Sequence, residues 1–428
     1  MNPEQLAFWY WLNDVKGIGP VISRKLLDRF DSPEIIFHSS KSEIIEKTQL
    51  RENIADNLEN AKSTINRYFE LAEKQYRIAE SIHGSILTGA DAPYSEIYHS
   101  APYLSALPSI IHTVGDTTLL QSHKFAIVGT RNPTLEGRQR ANNLSKSLVS
   151  NNFSIVSGLA LGIDAEGQRA ALESGGKTIA VLGSGADVSY PRENASLYSE
   201  ITINGLVVSE FPFGIRPSAE NLRQRNRTIV AFSEGVAIAE CPIKSGTMIA
   251  ARFALQQNKP LFSFYSNGVV SNSGSEWLIK NNLSVELKDT DASTILNYLS
   301  SYKSSKSPNV DRIFEEIWPK QHALKKKEKS GKGGKRIPQT SEHATQGKLN
   351  IQPPSSINKE KPTKRITKSP PSQEGCDLRE RDIVTHSIFG KGQIIRITKV
   401  NNDYQLTVKF SEKHPRTLSY HYANLTKE

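Results

Sequence analysis

From residue 125 onward, short apolar runs recur at Phe125–Val128, Ser154–Val156, Thr178–Leu182, Leu206–Val208, Val236–Ala239 and Leu261–Phe264. The segments between them carry helical spacing, as at Ala141, Leu144 and Leu148, or at Met248, Ile249 and Phe253. Continuous apolar strands alternating with helices predict a mainly parallel sheet covered on both faces. Residues 120–290 therefore read as a doubly wound, Rossmann-like α/β domain. Upstream, Leu6, Trp9 and Leu12, then Leu26, Leu27 and Phe30, then Ile65, Tyr68 and Leu71 predict helices over residues 1–80. Residues 81–120 are mixed, with turn signals at Asp91-Ala92-Pro93 and Gly115-Asp116.

Beyond about residue 300 the pattern breaks. Residues 324–375 hold 13 Lys/Arg against 4 Asp/Glu, with Gly333-Gly334, Pro353-Pro354 and Pro370-Pro371 and almost no aromatics. Such a stretch buries too little apolar surface to offset chain entropy, which predicts a disordered basic tether. Most of the net charge of +10 lies there, so overall basicity says little about the folded core. Alternation resumes at Asp382–Thr385, Gln393–Thr398, Gln405–Phe410 and Thr417–Tyr420, which suggests a small SH3-like or Tudor-like barrel. The expected domains are a helical module (1–80), the α/β core (81–300), a linker (301–377) and the barrel (378–428). The chain has no signal-like N-terminus and no run near the roughly 20 apolar residues of a membrane span. Its two cysteines, Cys241 and Cys376, lie far apart. These features predict a cytoplasmic protein without a cysteine-based zinc site.

The candidate chemistry sits in turns just after predicted strands: Gly129-Thr130-Arg131, then the run Ser157 to Asp164 with Gly158 and Gly162, then Gly183-Ser184-Gly185. In an open parallel sheet ligands bind beyond the carboxyl ends of the strands, where helix N-termini present unpaired N–H groups. Glycine lets a phosphate approach the backbone, and arginine adds a permanently charged bidentate partner. Arg225-Asn226-Arg227 and Lys244-Ser245-Gly246-Thr247 occupy equivalent positions, and all of these should converge on one phosphate cradle. Plainer roles are open at each site. Arg225 and Arg227 could pair with Glu210 or Glu240, while Asp164 could cap a helix and Ser157 fill a turn.

These residues also carry a resemblance. Gly129-Thr130-Arg131, SGLALGID at 157–164, AVLGSGADVSYP at 180–191, SE at 209–210, RNR at 225–227 and SGT at 245–247 resemble, in order, the DprA/Smf DNA-processing family over about 84–285. The resemblance implies a Rossmann-like core that binds single-stranded DNA and helps load a RecA-type recombinase, usually as a homodimer. It also implies that Arg131, Arg225, Arg227 and Lys244 lie at or beside phosphate contacts. The chain departs from the family at Gln168, in a stretch where a histidine is usual, and at Glu276, where an asparagine is usual; no winged helix is evident at the C-terminus. Near the N-terminus, Gly17-Ile18-Gly19 resembles a helix–hairpin–helix turn, a second DNA contact or an ordinary tight connection. The C-terminal segment, with Arg381–His386 and Phe389-Gly390-Lys391-Gly392, resembles the Tudor-like domain of UvrD/PcrA helicases. That likeness implies a protein-docking module with an RNA polymerase-like partner. No catalytic residue, metal or cofactor is expected. The rival reading is a Rossmann-like enzyme or sensor acting on a nucleotide derivative, although the PGGxGTxxE signature of phosphoribohydrolases and a GxGxxG dinucleotide motif are both absent.

Overall fold

The computed structural model describes residues 2–100, 107–266, 268–302, 310–315, 317, 378–386, 390–400, 403–410, 416–419 and 425–427. The chain divides into two compact units, residues 1–332 and 333–428. The predicted tether at 324–375, with Phe389 and Tyr420, lies outside the described residues.

The first unit opens with helices Pro3–Asp14 (α1), Pro20–Leu27 (α2), Pro33–His38 (α3), Lys41–Thr48 (α4), Glu52–Ala61 (α5) and Ile65–Ser81 (α6). Side-chain caps from Asn2, Ser32 and Ser40 accept the free N–H groups that start α1, α3 and α4. The sequence pattern marked one apolar face of α1, but every residue from Leu6 to Leu12 is buried. A helix apolar all round belongs at the centre of a bundle. There Phe8 and Trp11 meet Phe37 edge-to-face at 5.3 and 5.1 Å.

Strands Gly84–Thr88 (β1), Ile110–Gly115 (β2), His123–Val128 (β3), Phe153–Ser157 (β4), Thr178–Leu182 (β5), Leu206–Ser209 (β6), Val236–Ile238 (β7), Leu261–Phe264 (β8) and Val285–Leu287 (β9) follow. They form one sheet in the order β1-β2-β6-β5-β4-β3-β7-β8-β9. All pairs from β6 to β9 are parallel, whereas β1 and β2 pair antiparallel at one edge. The intervening helices are Tyr94–Ser100 (α7), Leu135–Ser150 (α8), Ile163–Glu173 (α9), Ala195–Asn204 (α10), Ala219–Phe232 (α11), Gly246–Gln256 (α12) and Ser273–Lys280 (α13), with Ser293–Ser301 (α14) and Val310–Phe314 (α15) after the sheet. Alternate residues of each strand serve opposite faces. Ala126 and Val128 pack with Ile229 and Val230 of α11 and with Met248 and Ala251 of α12. Phe125 and Ile127 pack with Ala141, Leu144 and Leu148 of α8. The sheet is thus the doubly wound, mainly parallel α/β layer that the apolar runs predict. No described helix is long and apolar enough to cross a membrane.

The strand order fixes where a ligand can sit. From β3 the chain moves outward through β4, β5 and β6, then returns to lay β7 on the other side of β3. The order therefore reverses between β3 and β7, and the crevice beyond their carboxyl ends is the switch point of the sheet.

The helical module is locked to this sheet by buried polar contacts. The Gln75 amide accepts from Phe213 N at 2.8 Å and donates to Phe213 O at 3.2 Å. The Tyr10 hydroxyl lies 2.7 Å from His112 Nε2 of β2, with the two rings stacked. Burial raises the Tyr10 pKa, so its hydroxyl keeps the proton and donates it, and burial pushes the His112 imidazole down to about 3, leaving it a neutral acceptor.

The second unit is a five-stranded antiparallel sheet of Ile383–His386 (β10), Gly390–Val400 (β11), Asp403–Phe410 (β12), Arg416–Ser419 (β13) and Leu425–Lys427 (β14). Its order, β13-β12-β11-β10-β14, is a four-strand meander whose last strand returns beside the first. Leu378, Val384, Ile394, Leu406, Val408 and Phe410 form its core. Among the described residues β13 and β14 are the outer strands of this order.

The His112 shift sets a pH expectation. The unfolded chain binds a proton at this imidazole below about pH 6.5 and the folded chain does not until about pH 3, so stability is full above 6.5 and falls across that window. The slope is about 1.4 kcal/mol per pH unit at its steepest. Urea unfolding of His112→Gln between pH 7 and pH 4 should show a shallower loss than the parent chain. Parallel pH profiles would contradict the assignment.

Candidate functional site

Four strand ends build the site. The turn Gly129–Arg131 leaves β3, the run from Ser157 to Gly162 joins β4 to α9, Gly183 follows β5, and Ser245 immediately precedes α12 beyond β7, without a side-chain capping bond. Helix α11 lies across them. Two adjoining cavities of about 370 and 490 Å³ open here, sharing Arg131, Ala160, Leu222 and Arg225 as wall. The first also takes Tyr190 and Arg192; the second takes Gly129, Thr130, Asp164, Arg223, Asn226, Ser245, Gly246 and Thr247.

At the floor lies Arg225, only 4% exposed. Its Nη1 donates to Val181 O at 2.9 Å, while its Nε has no protein acceptor. Glycine at 158 is a steric necessity, because a Cβ there would fall 1.3 Å from Arg225 Nη1. Burial lowers the Arg225 pKa, the Asp164 carboxylate opposes that shift and the cation of Arg131 adds to it. A guanidinium remains charged regardless. Burial raises the Asp164 pKa, with Arg225 and the Gly158 N–H pulling it back. Asp164 Oδ2 accepts that N–H at 3.1 Å. Gly162 has φ +80°, and a Cβ on it would sit 2.4 Å from Thr130 O. The turns after β3 and β4 therefore touch, and Ile163 N donates to Thr130 O at 3.2 Å.

Of the residues singled out in the sequence, Gly129, Thr130, Arg131, Gly158, Asp164, Arg225, Asn226, Ser245, Gly246 and Thr247 line the two cavities. Others do not. Ser157 Oγ donates to Ile127 O at 2.6 Å and braces two strands. Gly183 lets α11 approach, with Leu222 Cα 2.9 Å from where its Cβ would be. Lys244 is exposed but lies outside the lining. Arg227, expected at a phosphate, instead donates to Glu210 at 2.8 Å with both side chains largely buried, the plainer of its two roles. Gly17 (φ +87°) and Gly19 form an exposed turn before α2 on the helical module, apart from the cavity lining. There Lys16 O accepts from Asn57 Nδ2 at 2.9 Å.

The two departures are built into the framework. Gln168 Oε1 accepts from Leu159 N at 3.1 Å and its Nε2 donates to Thr178 Oγ1 at 3.2 Å, bracing the turn after β4. Glu276 accepts from Gly268 N at 2.9 Å and pairs with Lys280. Sequence reasoning missed Arg192 and Arg223. Helical spacing held the signal for Arg223, because Ala219, Leu222, Arg223 and Asn226 share the face of α11 that lines the cavity. Arg227, two residues past Arg225, projects elsewhere. Among the described residues no cluster of His, Cys, Asp or Glu is placed to ligate a metal.

Comparison with known proteins bears on this arrangement. The model of the DNA recombination-mediator protein A family matches residues 85–299. Protein Smf of Synechocystis sp. is 34% identical over 266 residues, covering 61% of this chain and 65% of its own length. DNA processing protein DprA of Bacillus subtilis is 40% identical over 157 residues, covering 36% of this chain and 53% of its own length. The chain thus spans between half and two thirds of these relatives. The X-ray structure of DNA processing protein A from Streptococcus pneumoniae superposes with a TM-score of 0.55 at 25% identity, covering 71% of this chain and 99% of that one.

Two glycines separate steric need from mere location. Gly158→Ala must displace the Arg225 guanidinium and should lose about 1–3 kcal/mol of stability by overpacking. Gly246→Ala, with nothing within 4 Å of its Cβ, should stay within about 0.5 kcal/mol of the parent chain in urea unfolding. Equal stability of the two variants would refute the packing argument.

Proposed function

The chain belongs to the DNA recombination-mediator protein A family, and on that premise we propose that its α/β core binds single-stranded DNA by its phosphate backbone. The observation that carries this reading is the cluster of Arg131, Arg192, Arg223 and Arg225 around adjoining cavities at the switch point, faced by two carboxylates, Asp164 and Glu193. A concave site with a cation on its floor suits a flexible strand that can enter it. The phosphates of a rigid duplex ride on a convex surface and reach the rim only. Phosphate contacts make affinity depend steeply on salt and weakly on sequence.

The reading is of a binder and not a catalyst. In support, the hydroxyls of Thr130, Ser245, Thr247 and Tyr190 have no histidine, cysteine or lysine beside them among the lining residues. Loading of a RecA-type recombinase in the cytoplasm, by a homodimer, is the finer part of the proposal. It is supported by the recombination-mediator family and by its relatives, among them the DNA processing protein DprA of Bacillus subtilis. The C-terminal unit is assigned to docking a protein partner of the RNA polymerase type. The Tudor-like resemblance supports that assignment, with the basic stretch 324–375 as the connection.

Titration of a labelled single strand against blunt duplex at two salt concentrations tests the proposal. The single strand should bind tighter, and Arg131→Ala and Arg223→Ala should each cost on the order of 1–3 kcal/mol. Arg227→Ala, which breaks an internal pair, should bind nearly as the parent chain does once folded. Equal affinity for duplex, or Arg227 mattering more than Arg131, would sink the assignment.

A further inference from the structure

Glu240 lies two residues past β7, directly across the switch point from β3, and is 1% exposed. Among the described residues no cation lies within ion-pairing distance of its carboxylate. Its partners belong instead to the loop that carries Arg131. The Glu240 carbonyl accepts from Thr130 N at 2.8 Å. Its carboxylate accepts from Thr134 N at 3.1 and 3.3 Å and from Thr134 Oγ1 at 2.6 Å. Thr134 in turn caps α8, its Oγ1 accepting from Gly137 N at 3.1 Å. The segment Arg131-Asn132-Pro133 is therefore an arch with both feet on one residue. Within it, Asn132 N donates to Thr130 Oγ1 at 3.3 Å.

Arg131 is itself exposed, and among the described residues it has no ion-pair partner. A long side chain held by no hydrogen bond or ion pair among the described residues depends on its backbone for its position, so the arch sets where this guanidinium starts from. The negative charge that does the anchoring would repel a phosphate if it faced the cavity. Here it is buried at the start of α8, where free N–H groups favour an anion. Helix α8 also closes over it, since a Cβ on Gly137 would fall 2.0 Å from Glu240 Oε2.

We infer that Glu240 is the positioning residue of the DNA site, holding the β3–α8 arch so that Arg131 meets a backbone phosphate. The inference rests on the proposed role of Arg131 as a phosphate contact. Glu240 touches no DNA and acts only through that arginine.

The test is a set of single-strand titrations on the full chain across a salt series, using a fluorescent oligothymidylate. Glu240→Ala should weaken binding by roughly 5- to 50-fold, the range for coupled neighbours. The slope of log affinity against log salt should fall by about 0.7, the share of one single-strand phosphate. Arg131→Ala should do the same, and the double variant should bind no worse than Arg131→Ala alone. Glu240→Gln, which keeps an acceptor for Thr134, should recover part of the loss. Losses that multiply in the double variant, or an unchanged salt slope in Glu240→Ala, would overturn the positioning role while leaving Arg131 as a contact. An Arg131→Ala variant that binds like the parent chain would overturn the reading beneath it. If Glu240→Ala does not fold, Gly137→Ala displaces the same carboxylate by its methyl group and should give the same loss of affinity and slope. Parent-like binding there would equally refute the role.

Discussion

The carboxyl edge of the sheet is organised by one guanidinium, that of Arg225, set where a side chain on residue 158 would otherwise be. A buried cation is costly unless its partners replace water. Arg225 has one carbonyl as a direct acceptor, the Asp164 carboxylate as a favourable neighbour and the Arg131 cation as an unfavourable one. Its Nε is left without a protein acceptor. The arrangement is therefore incompletely satisfied by the protein, with the unpaired Nε buried away from solvent. The same carboxylate that supports Arg225 also fixes the turn after β4, so shape and charge share one set of bonds.

The topology then decides which other groups can join this cation. Because the strand order reverses between β3 and β7, the helices after these two strands pack on opposite faces of the sheet, α8 with Phe125 and Ile127 and α12 with Ala126 and Val128, and leave a crevice. The β3 loop supplies Arg131, the β7 side supplies Ser245, Gly246 and Thr247 at the start of α12, and α11 lays Leu222, Arg223 and Asn226 along the wall. The helical module touches the sheet elsewhere, at β2 and after β6, through Tyr10 and Gln75. It braces the framework without forming part of the cavity lining.

Much of this was legible in the sequence. The six apolar runs became β3 to β8 because a strand buried on both faces must be apolar throughout. The glycine turns were found because close backbone approach leaves no alternative residue at 158 or 162. The elements that escaped lacked those signatures. Strand β1 is only half-buried along most of its length, and β9 is three residues with a glutamate at its centre. The strand pair β1–β2 exists because β2 adds antiparallel to β6, a tertiary event without a local pattern. At the site, the run from Arg223 to Arg227 showed cations without showing which way each points. Three fates follow from helical phase: Arg223 lines the cavity, Arg225 is buried beneath it and Arg227 is spent on Glu210. Glu240 passed as a mere pairing option for arginine, since its partners are hydroxyl and backbone groups of a loop more than 100 residues earlier.

The central claim is that charge on the strand's backbone, met by this arginine cluster, supplies the affinity. Its most direct test replaces the charge and keeps the bases. An oligothymidylate with uncharged methylphosphonate linkages should lose most of its binding to the full chain, and what remains should no longer respond to salt. A neutral strand that binds as tightly as the natural one would contradict the account, because recognition would then lie in the bases and not in the phosphates.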